Sequence, residues 1–304
     1  MTSDAFKARD ASSYDAVTEP FDRFTRWLSR PLAARLVALA AVRPGYRILD
    51  VGTGTGIVAV EAARATGPDG CVLGVDLSEG MLRSAAQTAS RAALGNTEFG
   101  LMDAEALALA DGSFDAVLSL FALLHFPDPR AALGEMFRVV RAGGRIALGV
   151  GSGPSPISWS GVGQSLRRAR RVWRELRGRR LTGPSFLDAL VHSRIPRGVG
   201  PEETHLARHT VLRPAAVAAL VRRAGFRDVR TSWQGREAPI TSAEEFWEIQ
   251  RTFSSLARKR LSTATPDELE AVRAAFFAKC RDVHTRGGEL VFPYAALFVV
   301  GRRP

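Results

Sequence analysis

An aspartate followed by three alternating glycines, Asp50-Val51-Gly52-Thr53-Gly54-Thr55-Gly56, carries the most chemistry in this chain. Glycine accepts positive φ and lets a ligand lie against bare backbone. The N–H groups opening the helix that follows, Ile57-Val58-Ala59-Val60, face whatever occupies the turn. The spacing is not the Gly-x-Gly-x-x-Gly of dinucleotide sites, and it brings no phosphate-binding lysine. A carboxylate at Asp50 suits an ammonium or sulfonium and would repel a pyrophosphate. A second acid, Asp76, ends the apolar run Cys71-Val72-Leu73-Gly74-Val75. There an acid accepts ribose hydroxyls. The two together imply a nucleoside with a positively charged tail, and they disfavour nicotinamide oxidoreduction.

The elements that must position these acids follow from the pattern of the chain. Strands are expected at about Arg47–Val51, Cys71–Val75, Glu98–Met102, Phe114–Leu120 and Ile146–Val150, with helices between them. Gly67-Pro68 stops the first of these helices, and Ser78 caps the next with Glu79 in its first turn. Asp128-Pro129 opens another, expected to run to Gly143-Gly144. Strands alternating with helices at this spacing predict an α/β fold with a doubly wound, mostly parallel sheet. Before it, Tyr14 to Val42 predicts two short helices, with disorder expected only in the first dozen residues. After it, Pro214–Ala224 reads as a helix, Arg227–Trp233 as a strand and Glu289–Val300 as a closing strand. Ser242 with Glu245 and Thr265 with Glu268 read as capping boxes.

Composition narrows the class further. The 304 residues are 46% hydrophobic and carry a formal charge of +11. Eight arginines lie between Arg167 and Arg180, so the basicity is local. Leu166, Ala169, Trp173 and Leu176 make that run an amphipathic helix. It is read as a solvated face, a peripheral membrane contact or a phosphate site; no nucleic acid is expected, since no recognised RNA-binding module accompanies it. Ile146–Leu166 has no charge, but twelve of its residues are Gly, Pro or Ser, which excludes a membrane span. Two distant cysteines and no secretory signal fit a cytoplasmic protein. His192, His205, His209 and His284 form no metal-ligand spacing, and no metal is expected. Oligomeric state is not legible.

The chain resembles the class I S-adenosylmethionine-dependent methyltransferases, of the ubiquinone/menaquinone-biosynthesis C-methyltransferase type. The resemblance rests on six motifs in order: Ile48–Gly56, Val75–Leu82, Met102–Leu107, Ser113–Val117, Phe126–Pro129 and Val139–Arg145. It covers roughly Tyr14 to Val150, and implies a seven-stranded Rossmann-like sheet with helical lid insertions. It implies residues 1–45 as an entrance segment, 46–150 as the cofactor core and 151–304 as the rest of the sheet with the substrate lid.

Position by position, the resemblance implies that Gly52, Thr53 and Gly54 hold the methionine part of S-adenosylmethionine by backbone contacts, with Asp50 near its ammonium. Asp76 would accept the ribose hydroxyls, with Leu77 and Met81 against the adenine. Asp103 would receive the adenine amine beside Ala104, Leu120 would lie by the methionine part, and Tyr14 would cover the cofactor or pack as core. The expected activity is methyl transfer to a small, mostly apolar acceptor (quinol, polyketide or terpenoid-like), releasing S-adenosylhomocysteine. The alternative is a methyltransferase-like enzyme that cyclises or isomerises its substrate without methyl transfer. His125, at the carboxyl end of the fourth strand, is a candidate base or a packing residue. Trp159, Trp173, Phe186, Trp233, Phe246, Trp247 and Phe253 would line the lid or form its core.

Overall fold

The computed structural model describes residues 3–151, 173, 177–183, 185–195 and 214–304. The chain divides into two compact units. The first comprises Met1–Ser152, Gly200–Gln234 and Ala295–Pro304, and the second Gly153–Val199 and Gly235–Tyr294.

In the first unit the strands β1 (Arg47–Val51), β2 (Cys71–Asp76), β3 (Thr97–Leu101), β4 (Phe114–Leu120) and β5 (Val140–Gly151) run parallel in the order β3-β2-β1-β4-β5. β8 (Glu289–Arg302) adds to β5 antiparallel, with Ile146 opposite Gly301, and β7 (Arg227–Ile240) pairs with β8 as the seventh strand. This is the expected sheet.

Its order reverses direction of winding between β1 and β4. Such a switch point leaves a crevice beyond the carboxyl ends of the two strands.

Side chains two apart share a face of the sheet. Leu49 and Val51, with Val117, Ile146, Leu148, Val150, Leu297 and Val299, therefore meet one helical layer. That layer holds Leu133 and Met136 on one helix (Pro129–Val139) and Val217 and Val221 on another (Pro214–Arg223). Asp50, between Leu49 and Val51, falls on the opposite face.

The two helices expected between Tyr14 and Val42 are α2 (Thr18–Leu28) and α3 (Arg30–Leu39), and a further helix, α1 (Ser3–Asp15), precedes them. The anticipated disorder over the first dozen residues is replaced by α1. Tertiary bonds from Lys7, Asp10, Tyr14 and Asp15 tie this helix to the sheet ends, which no local pattern announces. α4 (Ile57–Thr66) and α5 (Glu79–Arg91) follow β1 and β2. The helix α6 (Pro129–Val139) ends four residues before the expected Gly143-Gly144 stop. β-Branched Val140 already pairs with Phe114, and the register then jumps to Ala116 against Arg145. Arg141–Gly144 bulge out between these pairs, with Gly143 at φ 76° and Arg141 donating to Asp115 at 2.7 Å.

The second unit contains β6 (Arg180–Thr182), parallel to the first residues of β8, and a packed set of helices. These are α7 (Ser185–Arg194), α9 (Ala243–Phe253), α10 (Ser255–Leu261) and α11 (Pro266–Thr285), while α8 is the Pro214–Arg223 helix of the first unit. Ser242 caps α9 by accepting the Glu245 N–H, and the full reciprocal capping box forms at Thr265 and Glu268 of α11. Most of the arginine-rich run, from Arg167 to Leu176 apart from Trp173, lies outside the described residues, as does Trp159. Among the described residues, no helix is long and apolar enough to cross a membrane.

Candidate functional site

The glycine turn is built by three left-handed residues, Gly52 (φ 69°), Gly54 (φ 54°) and Gly56 (φ 83°). Gly52 has a second reason to be glycine. A Cβ there would fall on the methyl of Ala122, so the segment after β4 lies directly against the turn. A Cβ at Gly56, just before α4, would stand 3.0 Å from Ala85 on α5. The chain reaches Ala122 through Phe121, a bulky residue held at φ 66° whose N–H donates to the Gly149 carbonyl at 2.6 Å. A left-handed conformation at a bulky residue is rare and costs energy that the surroundings must offset. Sequence reading missed Phe121, because nothing in its local pattern marks positive φ.

The turn's donors are already engaged. Gly52 and Thr53 both donate their N–H to the Val75 carbonyl, at 2.8 and 3.0 Å, and Gly54 donates to Asp76 at 2.9 Å. Asp50 is fully buried, and its carboxylate accepts the Thr53 hydroxyl at 2.7 Å close to the first turn of α4. It therefore braces the turn and complements the positive end of α4. Burial pushes its pKa up to about 7, opposed by the Thr53 bond and reinforced by the neighbouring charge of Asp76.

Asp76, at the end of β2, is only partly buried. It also accepts the Ser78 N–H at 3.0 Å, so its carboxylate is fixed in the crevice beside the turn. Burial raises its pKa, against the bonds from Ser78 and Gly54 and the nearby His125. Leu77 next to it is exposed, whereas Met81 is buried in α5. Asp103, after β3, is held at both oxygens: Glu105 N–H donates to one at 2.9 Å and Lys7 to the other at 2.6 Å. Lys7 bridges to Glu105 as well, also at 2.6 Å. Burial lowers the lysine pKa, but the two carboxylates outweigh it and the net shift is upward. Ala104 and Leu120 are buried.

One helix rings these groups. From α1, Lys7 meets Asp103, Asp10 meets His125, Tyr14 meets His125, and Asp15 accepts the Ser78 hydroxyl and the Gly80 N–H at the start of α5. Asp10 and Tyr14 are four apart and so share a helix face. The Tyr14 hydroxyl lies 3.2 Å from His125 Nε2, and Asp10 Oδ2 lies 3.3 Å from Nδ1. Lys7, Asp10 and Asp15 had no sequence signal beyond their helical spacing.

The aromatic residues assigned to the lid divide. Phe246, Trp247 and Phe276 are buried against one another, with ring centroids 5.1 to 5.7 Å apart, and form the core of the second unit. Phe253 packs on Phe292 and Tyr294 within the same unit. Trp173 is exposed and carries Arg177 over its ring at 4.1 Å.

Two features fit an adenosyl sulfonium. The bare Gly54 backbone meets only Phe21 near where a Cβ would stand, and a half-buried carboxylate at Asp76 offers acceptors to a diol. Among the described residues, no three His, Cys, Asp or Glu side chains are grouped to hold a metal.

Comparison with known proteins agrees with this geometry. Residues 48–144 match the sequence profile of the family described as a methyltransferase domain. The chain is 34% identical to nocamycin O-methyltransferase of Saccharothrix syringae over 97% of this chain and 96% of that one. It is 36% identical to the ubiquinone/menaquinone biosynthesis C-methyltransferase of Ralstonia pickettii (strain 12J), over 54% of this chain and 62% of that relative. Among solved structures, the [4+2]-cyclase SpnF aligns with a TM-score of 0.55 over 97% of this chain and 95% of that one. At 18% identity, that likeness speaks to the fold alone.

Proposed function

The chain belongs to the S-adenosylmethionine-dependent methyltransferases and acts on a small molecule, and from this premise we propose that it methylates an acidic hydroxyl of a mostly apolar organic acceptor. The observation that carries the reading is the relative named an O-methyltransferase, matched along nearly the whole of both chains.

Bound S-adenosylmethionine supplies an electrophilic methyl whose bond to sulfur breaks as the bond to the acceptor oxygen forms, the electron pair staying on sulfur. The residues of this chain would hold and align. Asp76 would accept both ribose hydroxyls, and Leu77 and the Met81 region would flank the adenine, whose amine would add to the Lys7-linked carboxylate of Asp103 beside Ala104. An ammonium is a donor, and the N–H groups of Gly52, Thr53 and Gly54 are spent on Val75 and Asp76. The turn's carbonyl oxygens therefore suit the cofactor's ammonium better than its N–H groups. Asp50 would act on that charge through the field of a buried carboxylate, since its side chain does not reach solvent. Leu120 and Tyr14 would close the methionine end. Alignment supplies about 7–11 kcal/mol in favourable systems.

The test is a panel of phenols, 1,3-dicarbonyl enols, carboxylic acids and quinols, incubated with the full chain and methyl-labelled cofactor. An O-methyl product in step with S-adenosylhomocysteine is expected. A carbon-methylated product would overturn the choice of oxygen. Conversion without S-adenosylhomocysteine would replace the reading with cyclisation or isomerisation.

A further inference from the structure

Arginines gather at the amino edge of the first unit's sheet, the edge opposite the cofactor crevice, and several of them are already engaged. Arg138 is held by Asp111 at 2.6 Å and by Glu135 at 2.8 Å. Arg303 donates to the Arg138 and Val140 carbonyls and lies over the ring of Phe137. Arg141 gives its Nε to Asp115 at 2.7 Å and its Nη1 to the Ala142 carbonyl at 3.2 Å.

Arg145 and Arg302 differ. They stand directly opposite each other on β5 and β8, level with Ala116 of β4 and Ile48 near the start of β1, and both are exposed. Opposed residues on adjacent antiparallel strands share a face, and like charges there destabilise the pair. Among the described residues, neither forms an ion pair with a carboxylate. Asp115 has both oxygens taken, one by Arg141 and the other by the Arg47 N–H at 2.8 Å.

The bulge in β5 leaves room beside them. Gly143 has φ 76° and no side chain. A Cβ there would stand 3.5 Å from Arg302 Nη2 and 3.8 Å from Arg141 Nη1. Two guanidiniums therefore border one open spot, with Arg145 across the strand pair from Arg302. A carboxylate has two oxygens in one plane, which a single guanidinium fork fills. A phosphate offers three acceptor oxygens pointing apart, which suits several separate forks. An opposed arginine pair with no acid beside it is a conflict that folding does not require and a bound anion relieves.

We propose that Arg141, Arg145 and Arg302 form a surface site for a phosphate group, at the opposite edge of the sheet from the cofactor turn. Its two sources are a free phosphorylated molecule and a phospholipid headgroup.

Denaturant unfolding of the full chain at low ionic strength tests the site, with sodium phosphate set against sodium chloride of equal ionic strength. Phosphate should stabilise the wild-type chain beyond chloride. The unfolding constant should fall about 10-fold when phosphate reaches about ten times its dissociation constant. Without phosphate, Arg145→Gln and Arg302→Gln should each be more stable than wild type, by up to about 5-fold in that constant, because the opposed charges are gone. Both should lose the extra response to phosphate. Arg302→Lys, which keeps the charge without the fork, should retain only part of it.

Vesicles of phosphatidylcholine with about one-quarter phosphatidylglycerol, set against phosphatidylcholine alone, separate the sources. Alongside the phosphate response, co-sedimentation abolished by Arg302→Gln marks a headgroup, and any other vesicle result marks a free phosphorylated molecule. Three outcomes would each overturn the site: chloride matching phosphate, glutamine variants responding as wild type does, or a loss of stability when either opposed charge is removed.

Discussion

The two units use the same residue types for different ends. In the first, carboxylates at the sheet's carboxyl edge accept backbone N–H groups and stay partly open to the crevice, as Asp76 does with Gly54 and Ser78. In the second, charged and polar groups close on one another. Arg180 is buried between Glu237 at 2.8 Å and Glu289 at 3.1 Å, Ser254 donates to Asp188, and Gln250 accepts the Leu187 N–H. A buried polar group bonded to its neighbours helps to hold the fold, whereas one left with acceptors facing a crevice can take a ligand. The difference teaches that acid content does not mark a site. Where the lone pairs point does.

Phe276→Ala breaks the comparison hardest. It empties the middle of the aromatic core of the second unit and should cost about 3–5 kcal/mol in denaturant unfolding. Cofactor affinity of the protein that remains folded should be unchanged. A matching loss of affinity would show that the second unit carries binding as well. Asp76→Ala is the mirror case. Calorimetry should find cofactor affinity about 100-fold weaker, near 2.7 kcal/mol, with stability lowered by only ~1 kcal/mol for the lost turn bonds.

pH sharpens the contrast. Burial lifts the Asp50 pKa from 3.8 to about 7, so the folded state holds a proton that the unfolded chain has released. Stability therefore falls as pH rises between those values, by about 1.4 kcal/mol per pH unit at most, and is level above them. Asp50→Asn should flatten this stretch of the stability curve. Saturating cofactor should flatten it too, because a cationic ligand favours the carboxylate. Asp188, also raised by burial but bonded to Ser254, should give a slope of the same sign with no response to cofactor. A cofactor response at Asp188→Asn equal to that at Asp50→Asn would erase the distinction. The smallest effect belongs to Thr265→Ala, which removes the α11 capping box and should cost about 1 kcal/mol in thermal unfolding without touching binding.

Much of the first unit is legible in its local sequence. Alternating apolar strands, the Asp-Gly-x-Gly-x-Gly turn, and the caps at Ser78 and Asp128 are local signals, and each formed where local chemistry put it. The misses were nonlocal. α1 has no apolar stripe strong enough to announce itself, and it is held by long-range partners such as Asp103 and His125. The early end of α6 depends on Val140 finding Phe114 across the sheet. The aromatic residues of the second unit read equally well as pocket or core, and only their mutual burial separates the two.

By itself the sequence pointed to the cofactor, because six motifs in order, the glycine turn among them, resemble those of one methyltransferase family. It also determined the wound sheet that carries that turn, since strand and helix periods are written in neighbouring residues. Tertiary structure alone decided which acids brace and which stay open: burial and the direction of lone pairs arise only when distant segments meet. It likewise decided that Asp10 and Tyr14 both meet His125. Residues 111 positions apart carry no sign of each other until a helix is laid across the end of the sheet.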